Sequence, residues 1–466
     1  MRTPKVKTRT TGTRIGKLQF ESGYPNRETV GKLYDEMDFQ RASQAYLWGL
    51  PIVGLAEWKH ANDHVFKVRN GQLVSYITFD EKLGILTPNY TTPYLCATAD
   101  LERSGPLVLE MPKGLTAGMV MDFWQRVVTD LGVVGPDRGE GGKFLILPPA
   151  HEDVKAEGFH VVRPSTRNIF FGIRLLDADR EKAIKEMVPQ LRTYPYSESA
   201  NPPKEQVVPA GRRKWSQMPP RGMAYWQRLA EILQQESVQE RDRFMMAQLR
   251  FLGIEKGKPF KPDGRQKRVL TEAAIVGEAM AKANTSDKRV ESAFWPKTHW
   301  KHALVVSVDQ RQENYDQLDE RAAWYYEAIG ISQAMLTETP GAGQRYIAAY
   351  QDKDGTWLDT SKPYRLRVPP NPPVKQFWSV TVYDEDTRQM HVNPQKRPDL
   401  SSRNDIVTNA DGSVDVFFGP TPPKGAEKNW IQTVPGKGWF AYFRFYAPTE
   451  AFFDKRWTLP DIQQVK

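Results

Sequence analysis

The sequence predicts an α+β protein in which two antiparallel β-sandwich domains flank a helical segment. From Tyr76 to Glu110, β-branched and aromatic residues alternate between Gly and Pro breaks spaced by about ten residues, as in sandwich strands. Between Tyr225 and Met335, apolar residues recur at helical spacing. After Gln344 the alternation typical of strands returns, so strands are expected at both ends and helices between them.

The first third of the chain predicts a tail, two helices and a set of strands. Residues 1–28 are expected to be a flexible basic tail, because Lys, Arg, Thr and Gly dominate 1–17 without apolar periodicity. Thr29 is a candidate N-cap for a helix that is expected to break at Gly49 and Pro51, before a second helix from Ile52. With strands up to Leu175 and a helix over 180–190, these elements predict an N-terminal domain over 29–200.

The rest of the chain divides into a helical and a strand-rich segment. A Pro-rich stretch over 195–221 marks a boundary, so a linker and mainly helical segment is predicted over 201–343, with one helix over 318–335. A C-terminal β-sandwich domain is predicted over 344–466. Its expected strands are 345–350, 364–368, 377–383, 413–418 and 439–446.

Several motifs resemble a known tandem of bacterial families. Thr-Thr-Pro-Tyr at 91–94 and Asp-Phe-Trp-Gln-Arg at 122–126 resemble the domain-of-unknown-function family numbered 1254. Phe-Trp-Ser-Val-Thr-Val-Tyr-Asp at 377–384 and Phe-Arg-Phe-Tyr-Ala-Pro at 443–448 resemble its usual partner, the family numbered 1214. The resemblance implies two jelly-roll-like β-sandwich domains decorated by helices, and it implies no established chemistry.

Composition narrows the class of protein. The 466 residues suffice for two or three domains, and 39% hydrophobic with 26% charged residues is ordinary for a soluble globular chain. The net charge of +9 comes from Lys and Arg interleaved with Asp and Glu, so no nucleic-acid partner is predicted. No membrane span or signal peptide is visible, which predicts a soluble protein, periplasmic if this is a mature form and otherwise cytoplasmic. The single cysteine, Cys96, excludes an intramolecular disulfide.

The candidate site is the stretch from Leu86 to Asp130. Pro88 and Pro93 stiffen a loop of small polar residues, and alternation along a predicted strand then places Asp122, Trp124 and Arg126 on one face. These residues are expected to line the main cavity. Asp122 is the catalytic candidate, and Arg126 is expected to make the main contact to an anionic ligand. An internal ion pair between Asp122 and Arg126 is the alternative. The full set of ligand-binding candidates is Asn89, Thr91, Thr92, Tyr94, Trp124, Arg126, Tyr383, Asn429, Trp430 and Arg444.

The histidine pattern gives a weak metal signal. His60 and His64 are four residues apart on a predicted helix, and Glu57 and Asp63 are nearby oxygen donors. No third ligand has a recognisable spacing, and the other histidine pair, His299 and His302, lies far along the chain. No metal and no cofactor are therefore predicted.

Two main functional hypotheses follow, since Gly-x-Ser-x-Gly, His-Glu-x-x-His, Cys-x-x-Cys and dinucleotide-binding motifs are missing from the sequence. The first is a protein that binds a small polar or amphipathic molecule in a pocket between sandwich and helices. The second is a hydrolase acting on a small molecule or saccharide, with Asp122 as acid or base, which a second carboxylate within about 5 to 10 Å would favour. A homo-oligomeric structural protein is a third alternative.

Overall fold

A computed structural model describes residues 8–152, 154, 156–204, 207–290 and 293–465. Their helices are α1 (Arg27–Ala61), α2 (Phe79–Lys82), α3 (Leu101–Ser104), α4 (Arg180–Met187), α5 (Met223–Gln235), α6 (Arg243–Arg250), α7 (Gly264–Ser286), α8 (Leu318–Glu327), α9 (Gln333–Leu336) and α10 (Glu450–Phe453). Their strands are β1 (Thr8–Thr13), β2 (Gly16–Glu21), β3 (Tyr24–Pro25), β4 (Val74–Tyr76), β5 (Tyr94–Asp100), β6 (Leu107–Met111), β7 (Thr116–Asp122), β8 (Val127–Gly132), β9 (Gly142–Ile146), β10 (Phe159–Val162), β11 (Asn168–Leu175), β12 (Arg192–Pro195), β13 (Val208–Pro209), β14 (Lys301–His302), β15 (Gln344–Ala349), β16 (Tyr364–Val368), β17 (Val374–Asp384), β18 (Asp399–Ser401), β19 (Val414–Gly419), β20 (Trp430–Gln432), β21 (Trp439–Pro448) and β22 (Gln463–Gln464). This mixture of helices with antiparallel and mixed sheets confirms the α+β class.

The chain divides into two compact units that are not contiguous in sequence. One combines the described residues of 1–49 with 220–281, and the other combines 50–219 with the described residues of 282–466. These units differ from the predicted divisions at 29–200, 201–343 and 344–466. The reason lies inside the first unit, where the ring of Tyr225 on α5 stacks at 4.0 Å on Tyr46 of α1, so part of the middle segment packs with the chain's beginning.

The first unit corrects the prediction of a flexible tail. Residues 8–25 form a three-stranded antiparallel sheet of β1, β2 and β3, in which Thr13 pairs with Gly16 across a tight turn. The threonines of β1 are β-branched and favour a strand, and Gly16 has a φ of +97° that suits the turn. Residues 1–7, which the same prediction covered, lie outside the described residues.

Helix α1 runs through the break expected at Gly49 and Pro51. A proline inside a helix removes one backbone hydrogen bond and costs on the order of 3 kcal/mol. The flanking Leu50, Ile52 and Val53 are fully buried, which offsets a cost of this size. Burial of this segment therefore overrides the local helix-breaking signal.

Two sheets in the second unit share one hydrophobic core. A six-stranded sheet has the order β13-β4-β5-β11-β7-β8, and a four-stranded sheet has the order β10-β9-β6-β12. Leu95, Val120 and Phe171 of the first sheet and Leu109 and Phe144 of the second belong to the same cluster of buried side chains. The other face of the six-stranded sheet does not contribute to this core.

A second pair of sheets follows in the C-terminal part of the same unit. A five-stranded sheet has the order β14-β15-β21-β17-β18, and a four-stranded sheet has the order β20-β19-β16-β22. Val380 and Phe443 from the first and Leu366 and Val416 from the second lie in one buried cluster. The predicted helix over 318–335 is divided into α8 and α9, because Ala328 leaves the helical conformation. No helix in the described residues is long and apolar enough to cross a membrane.

Candidate functional site

A cavity in the second unit lies against the six-stranded sheet, and we call it the Arg174 cavity. It contains about 650 Å³ of empty space, part of it open to solvent. Its lining residues are Trp58, Ile85, Leu86, Thr87, Pro88, Tyr94, Cys96, Ala117, Gly118, Met119, Phe170, Gly172, Arg174, Ile329, Gly330, Ser332, Ala334 and Gln344. The floor comes from β5, β7 and β11, and the loop before β5, residues 329–334 and Gln344 of β15 close the sides.

Strand alternation separates the floor of the cavity from the core. On β11, Ile169, Phe171 and Ile173 belong to the buried core, while Phe170, Gly172 and Arg174 line the cavity. The register places Tyr94 and Ala117 beside Arg174, and it places Cys96 and Met119 beside Gly172. The sheet itself therefore brings the lining residues of three strands into rows.

These rows form a gradient from polar to apolar. Arg174 and Tyr94 lie at one end, and Phe170 lies four residues away at the other, about 13 Å along the strand. At the apolar end the ring of Phe170 packs 4.9 Å from that of Trp58, the residue that α1 contributes. Burial raises the pKa of Cys96 to about 12, so its thiol stays neutral in the middle row. The floor suits a molecule with one polar and one apolar end.

Arg174 is the cation of this cavity. Its Nη1 donates to Gln344 Oε1 at 2.9 Å and to the hydroxyl of Tyr346 at 3.2 Å. Within the described ranges, Nε and Nη2 have no hydrogen-bond acceptor, and no carboxylate lies within 4.0 Å of the guanidinium. Burial lowers the pKa of Arg174, but the phenols of Tyr346, Tyr94 and Tyr446 raise it above the ordinary value, so the group stays charged.

Two predicted residues from the C-terminal sheets hold the loop before β5. Arg444 donates from Nη2 to the carbonyl oxygen of Thr87 at 3.1 Å and to the hydroxyl of Tyr383 at 2.6 Å. Tyr383 in turn donates to the carbonyl oxygen of Pro88 at 2.6 Å. Thr87 and Pro88 line the cavity, so Arg444 and Tyr383 position its wall from behind.

A buried lysine fixes the rest of this loop. The Nζ of Lys82 donates to the carbonyl oxygens of Asn89, Tyr90 and Thr92 at 2.9, 2.9 and 2.7 Å. Burial lowers the pKa of Lys82 well below its ordinary value. This contact adds to the two prolines as a source of rigidity, and no local sequence pattern indicates it.

The predicted loop residues differ in their placement. Tyr94 lines the cavity, and its hydroxyl accepts a hydrogen bond from the backbone N–H of Asn89 at 2.8 Å. Asn89, Thr91 and Thr92 are outside the lining. Asn89 Oδ1 accepts from the backbone N–H groups of Thr91 and Thr92 at 2.5 and 3.1 Å, so this side chain closes a turn. In the described structure, Asn89 Nδ2 and the hydroxyls of Thr91 and Thr92 are buried without a partner.

The predicted face of Asp122, Trp124 and Arg126 is instead a turn outside the cavity lining. Strand β7 ends at Asp122, and Gln125 has a φ of +60°, which breaks the alternation that the prediction needed. Asp122 Oδ2 accepts from Arg126 Nε at 2.8 Å and from Ser165 Oγ at 2.6 Å. Asp122 Oδ1 accepts from the backbone N–H groups of Trp124 and Arg126 at 2.9 and 3.0 Å. The internal ion pair is the arrangement that forms.

The side chains of Asn429 and Trp430 form hydrogen bonds with backbone groups. The side chain of Asn429 accepts from the N–H of Val407 at 2.8 Å and donates to the carbonyl oxygens of Val407 and Asp415 at 2.7 and 3.0 Å. Trp430 Nε1 donates to the carbonyl oxygen of Gly419 at 2.9 Å. Both residues hold the region of β19 and β20 together and do not line the cavity.

The histidines are not grouped around a common centre. The rings of His60 and His64 lie 4.4 Å apart, and His299 Nδ1 lies 3.2 Å from Asp461 Oδ2. Among the residues described, no three His, Cys, Asp or Glu side chains are placed to hold one metal ion.

Sequence reasoning missed Arg174, Gln344, Gly172 and Trp58. The signal for Arg174 was available, because a lone arginine shares the alternating face of β11 with Phe170 and Gly172 and has no acid next to it. Gln344 is 170 residues away from Arg174, and no local pattern brings the two together.

Comparison with known proteins relates both ends of the second unit to families without an assigned role. The model of the protein of unknown function DUF1254 matches residues 73–195, and that of DUF1214 matches 343–450. The floor of the Arg174 cavity falls in the first match and Gln344 in the second. Comparison with curated proteins gives no match.

Two solved structures are similar to this chain. The VPA0106 protein from Vibrio parahaemolyticus has 19% identity and a TM-score of 0.57, over 92% of this chain and 100% of that chain. An uncharacterised protein from Burkholderia cenocepacia has 13% identity and a TM-score of 0.42, over 94% of this chain and 96% of its own. The first likeness shows the fold alone. The expectations about nucleic acid, cofactors, oligomers and compartment stay predictions.

Proposed function

We propose that this chain, which carries the DUF1254 and DUF1214 domains in tandem, binds a small amphipathic anion in the Arg174 cavity. The observation that carries the proposal is Arg174 itself, a charged guanidinium at the polar end of a mainly apolar cavity, without a carboxylate partner in the described structure. Arg174 is partly exposed, and a charge in a mainly apolar cavity is stabilised when an opposite charge meets it. An anionic ligand would supply that charge.

The free donors of Arg174 indicate a planar or tetrahedral oxyanion. Nε and one Nη of a guanidinium form a fork that matches the two oxygens of a carboxylate or phosphate. Nη1 is already engaged by Gln344 and Tyr346, which fix the plane of the group. A hydrogen bond between charged groups contributes about 1.5 to 3 kcal/mol. We therefore expect Arg174 to supply most of the selectivity for an anion.

The apolar end supports a ligand with a hydrophobic body. Phe170 and Trp58 pack together at that end, and Met119, Ile85 and Leu86 add further apolar lining to the cavity. Each methylene group that leaves water there contributes about 0.8 kcal/mol. A body of about 13 Å or less, with its acid at Arg174, fits the distance between the polar and apolar rows.

The hydrolase alternative receives no such support. Asp122 accepts four hydrogen bonds from the protein and is outside the cavity lining. The described lining contains no Asp or Glu, so it offers no pair of carboxylates for acid and base catalysis.

Calorimetric titration with phenylacetate tests the proposal. We expect the wild-type chain to bind this carboxylate, and Arg174→Met to weaken binding by about 10-fold to 100-fold, because a charge-assisted contact is lost. Arg365→Met is the matched control, since it removes a strand arginine whose Nε lies 3.9 Å from Asp415 on β19, away from the cavity. Absence of binding to wild type, or equal binding by Arg174→Met, would contradict the proposal. Phenylethylamine, which carries the opposite charge, should not bind.

We further propose that each pair of sheets is a β-sandwich of the jelly-roll kind. The support is that each buried cluster takes side chains from both sheets of its pair. An experimental structure in which either four-stranded sheet packed only on helices would overturn this.

A further inference from the structure

We propose that the ligand carries a second apolar arm joined through a carbonyl group, as in an N-acylated amino acid with an apolar side chain. This inference rests on the proposed function and names its ligand class. It comes from a second cavity next to the first, which we call the Tyr446 cavity.

The two cavities adjoin at the polar end of the floor. The Tyr446 cavity has about 800 Å³ of empty space, part of it open to solvent, and it shares Ala117, Ala334 and Gln344 with the Arg174 cavity. Gln344 pairs in register with Tyr446, and its side chain accepts the hydrogen bond from Arg174. A carboxylate at Arg174 would therefore lie at the junction, with space on both sides of it.

The second cavity is mainly apolar, and the buried polar side chains in its lining are those of Gln344 and Tyr446. Leu115, Val134 and Leu176 contribute to its walls, and Leu115 is 50% exposed at the rim. Tyr446 is only 2% exposed, and its hydroxyl has no hydrogen-bond partner in the part of the chain that is described. Its ring stacks on Phe377 at 3.9 Å, which fixes the position of the side chain.

An unpartnered phenol defines what the ligand must offer. Burial raises the pKa of Tyr446 well above its ordinary value, so the group is a neutral hydroxyl that can donate. A buried donor without an acceptor costs free energy, which an acceptor on a ligand would recover. An acyl carbonyl whose carbon is two bonds from the carboxylate-bearing carbon meets this need, and an acyl chain beyond it would fill the space between the apolar walls.

A series of three ligands tests the arm. We expect N-acetyl-L-phenylalanine to bind the full chain at least about fivefold more tightly than phenylacetate, because it adds one hydrogen bond and further apolar groups. N-octanoyl-L-phenylalanine should gain on the order of another 100-fold from its six further methylene groups, if about half of their surface leaves water. Octanoate alone should bind more weakly than the octanoyl conjugate, since it cannot fill both cavities.

Two variants locate the arm. Tyr446→Phe should weaken the binding of N-acetyl-L-phenylalanine about fivefold and leave phenylacetate affinity unchanged, because one hydrogen bond to the acyl carbonyl is lost. The free variant should melt at or above the wild-type temperature, because no protein hydrogen bond is lost. Leu115→Asp at the rim should remove most of the gain of the octanoyl chain. The control is Tyr315→Phe, which removes an exposed phenol outside both cavities and should change no affinity.

The outcomes separate the two proposals. If phenylacetate does not bind, the proposed function fails. If phenylacetate binds and the octanoyl conjugate binds no better than the acetyl one, or if Tyr446→Phe binds N-acetyl-L-phenylalanine as tightly as the wild type does, the second arm is wrong and the proposed function stands. Octanoate binding as tightly as the conjugate would also overturn the two-armed ligand.

Discussion

Arg126 and Arg174 lie at opposite ends of the strand pair β7 and β11, and they have different partners. Arg126 follows the end of β7 where Asp122 pairs with Ile169, and its Nε bonds to Asp122 at 2.8 Å. Arg174 lies where β11 pairs with Ala117, and no carboxylate within the described residues lies within 4.0 Å of it. An arginine that follows an acid within one turn of chain finds its partner locally. An arginine whose hydrogen-bond partners are neutral side chains is the stronger candidate for a ligand.

The largest expected effect concerns Asp122, at the end of β7 where Arg126 has its acidic partner. Asp122→Ala should lower the free energy of unfolding by about 3 to 5 kcal/mol, because Arg126 loses its partner and two backbone N–H groups lose their acceptor. Phenylacetate affinity of the folded variant should be unchanged. Urea unfolding and calorimetry give the two values.

A surface acid provides the control for that change. Asp63→Ala removes an exposed partner of Lys59, and it should cost less than about 1 kcal/mol. If Asp122→Ala costs no more than Asp63→Ala, or if it abolishes phenylacetate binding, the contrast between the two ends of the sheet fails.

A buried acid on β8 predicts that the free energy of unfolding depends on pH. Asp130 accepts from the backbone N–H groups of Gln333 and Ala334 at 3.1 Å each, and burial raises its pKa to about 6. The unfolded carboxyl has a pKa near 4, so between about pH 4 and 6 the folded state holds a proton that the unfolded state has released. The free energy of unfolding should therefore fall as the pH rises through this window, by up to about 3 kcal/mol.

Asp130→Asn isolates this contribution. The difference in unfolding free energy between the variant and the wild type should change with pH only between about 4 and 6, because other groups titrate in both proteins and cancel. Urea unfolding from pH 4 to pH 7 measures it. A difference that is constant over this range would mean that the pKa of Asp130 is not raised in the folded protein.

The strands show what local pattern can predict. Strand β16 has the predicted bounds of 364 and 368, and β21 begins at Trp439 as expected. Strand β16 alternates between buried and more exposed residues, and β21 is rich in aromatic residues and buried along its whole length, so the sequence and the packing agree. The pattern was misleading at Pro51, where burial outweighs the broken hydrogen bond, and at Gln125, where a positive φ turns the chain out of the strand.

The site depends on information that no local pattern contains. Of the predicted loop residues, Tyr94 lines the cavity, while Asn89, Thr91 and Thr92 lie outside its lining. Arg174, Gln344 and Trp58 come together only through the register of distant strands and the end of α1. Predicting that register requires the pairing of the sheets, and the sequence alone leaves it open.

The effects of Arg174→Met and Arg126→Met on the free energy of unfolding should distinguish the two arginines directly. Arg174→Met should leave the free energy of unfolding unchanged or raise it by about 1 kcal/mol, because it removes a charge without an acidic partner and fits methionine into a mainly apolar cavity. Arg126→Met should lower it by about 3 kcal/mol, because Asp122 stays buried without its cation. Urea unfolding of both variants in one buffer measures the comparison. A substantial loss for Arg174→Met would show that its contacts to Gln344 and Tyr346 are structural.

The smallest expected effect concerns the space in the middle row of the floor. A Cβ at position 172 would lie 3.1 Å from Cε1 of Phe170 and 3.6 Å from Sγ of Cys96, so Gly172→Ala must move the Phe170 ring slightly and narrow the cavity. We expect phenylacetate affinity to fall about three- to tenfold, with a change of less than about 1 kcal/mol in stability, since alanine also restricts the unfolded chain. Gly12→Ala is the matched strand control, because nothing lies within 4 Å of its added Cβ, and its affinity should equal that of wild type. Unchanged affinity in a folded Gly172→Ala protein would mean that the ligand does not lie along β11, even if Arg174 still binds its acid.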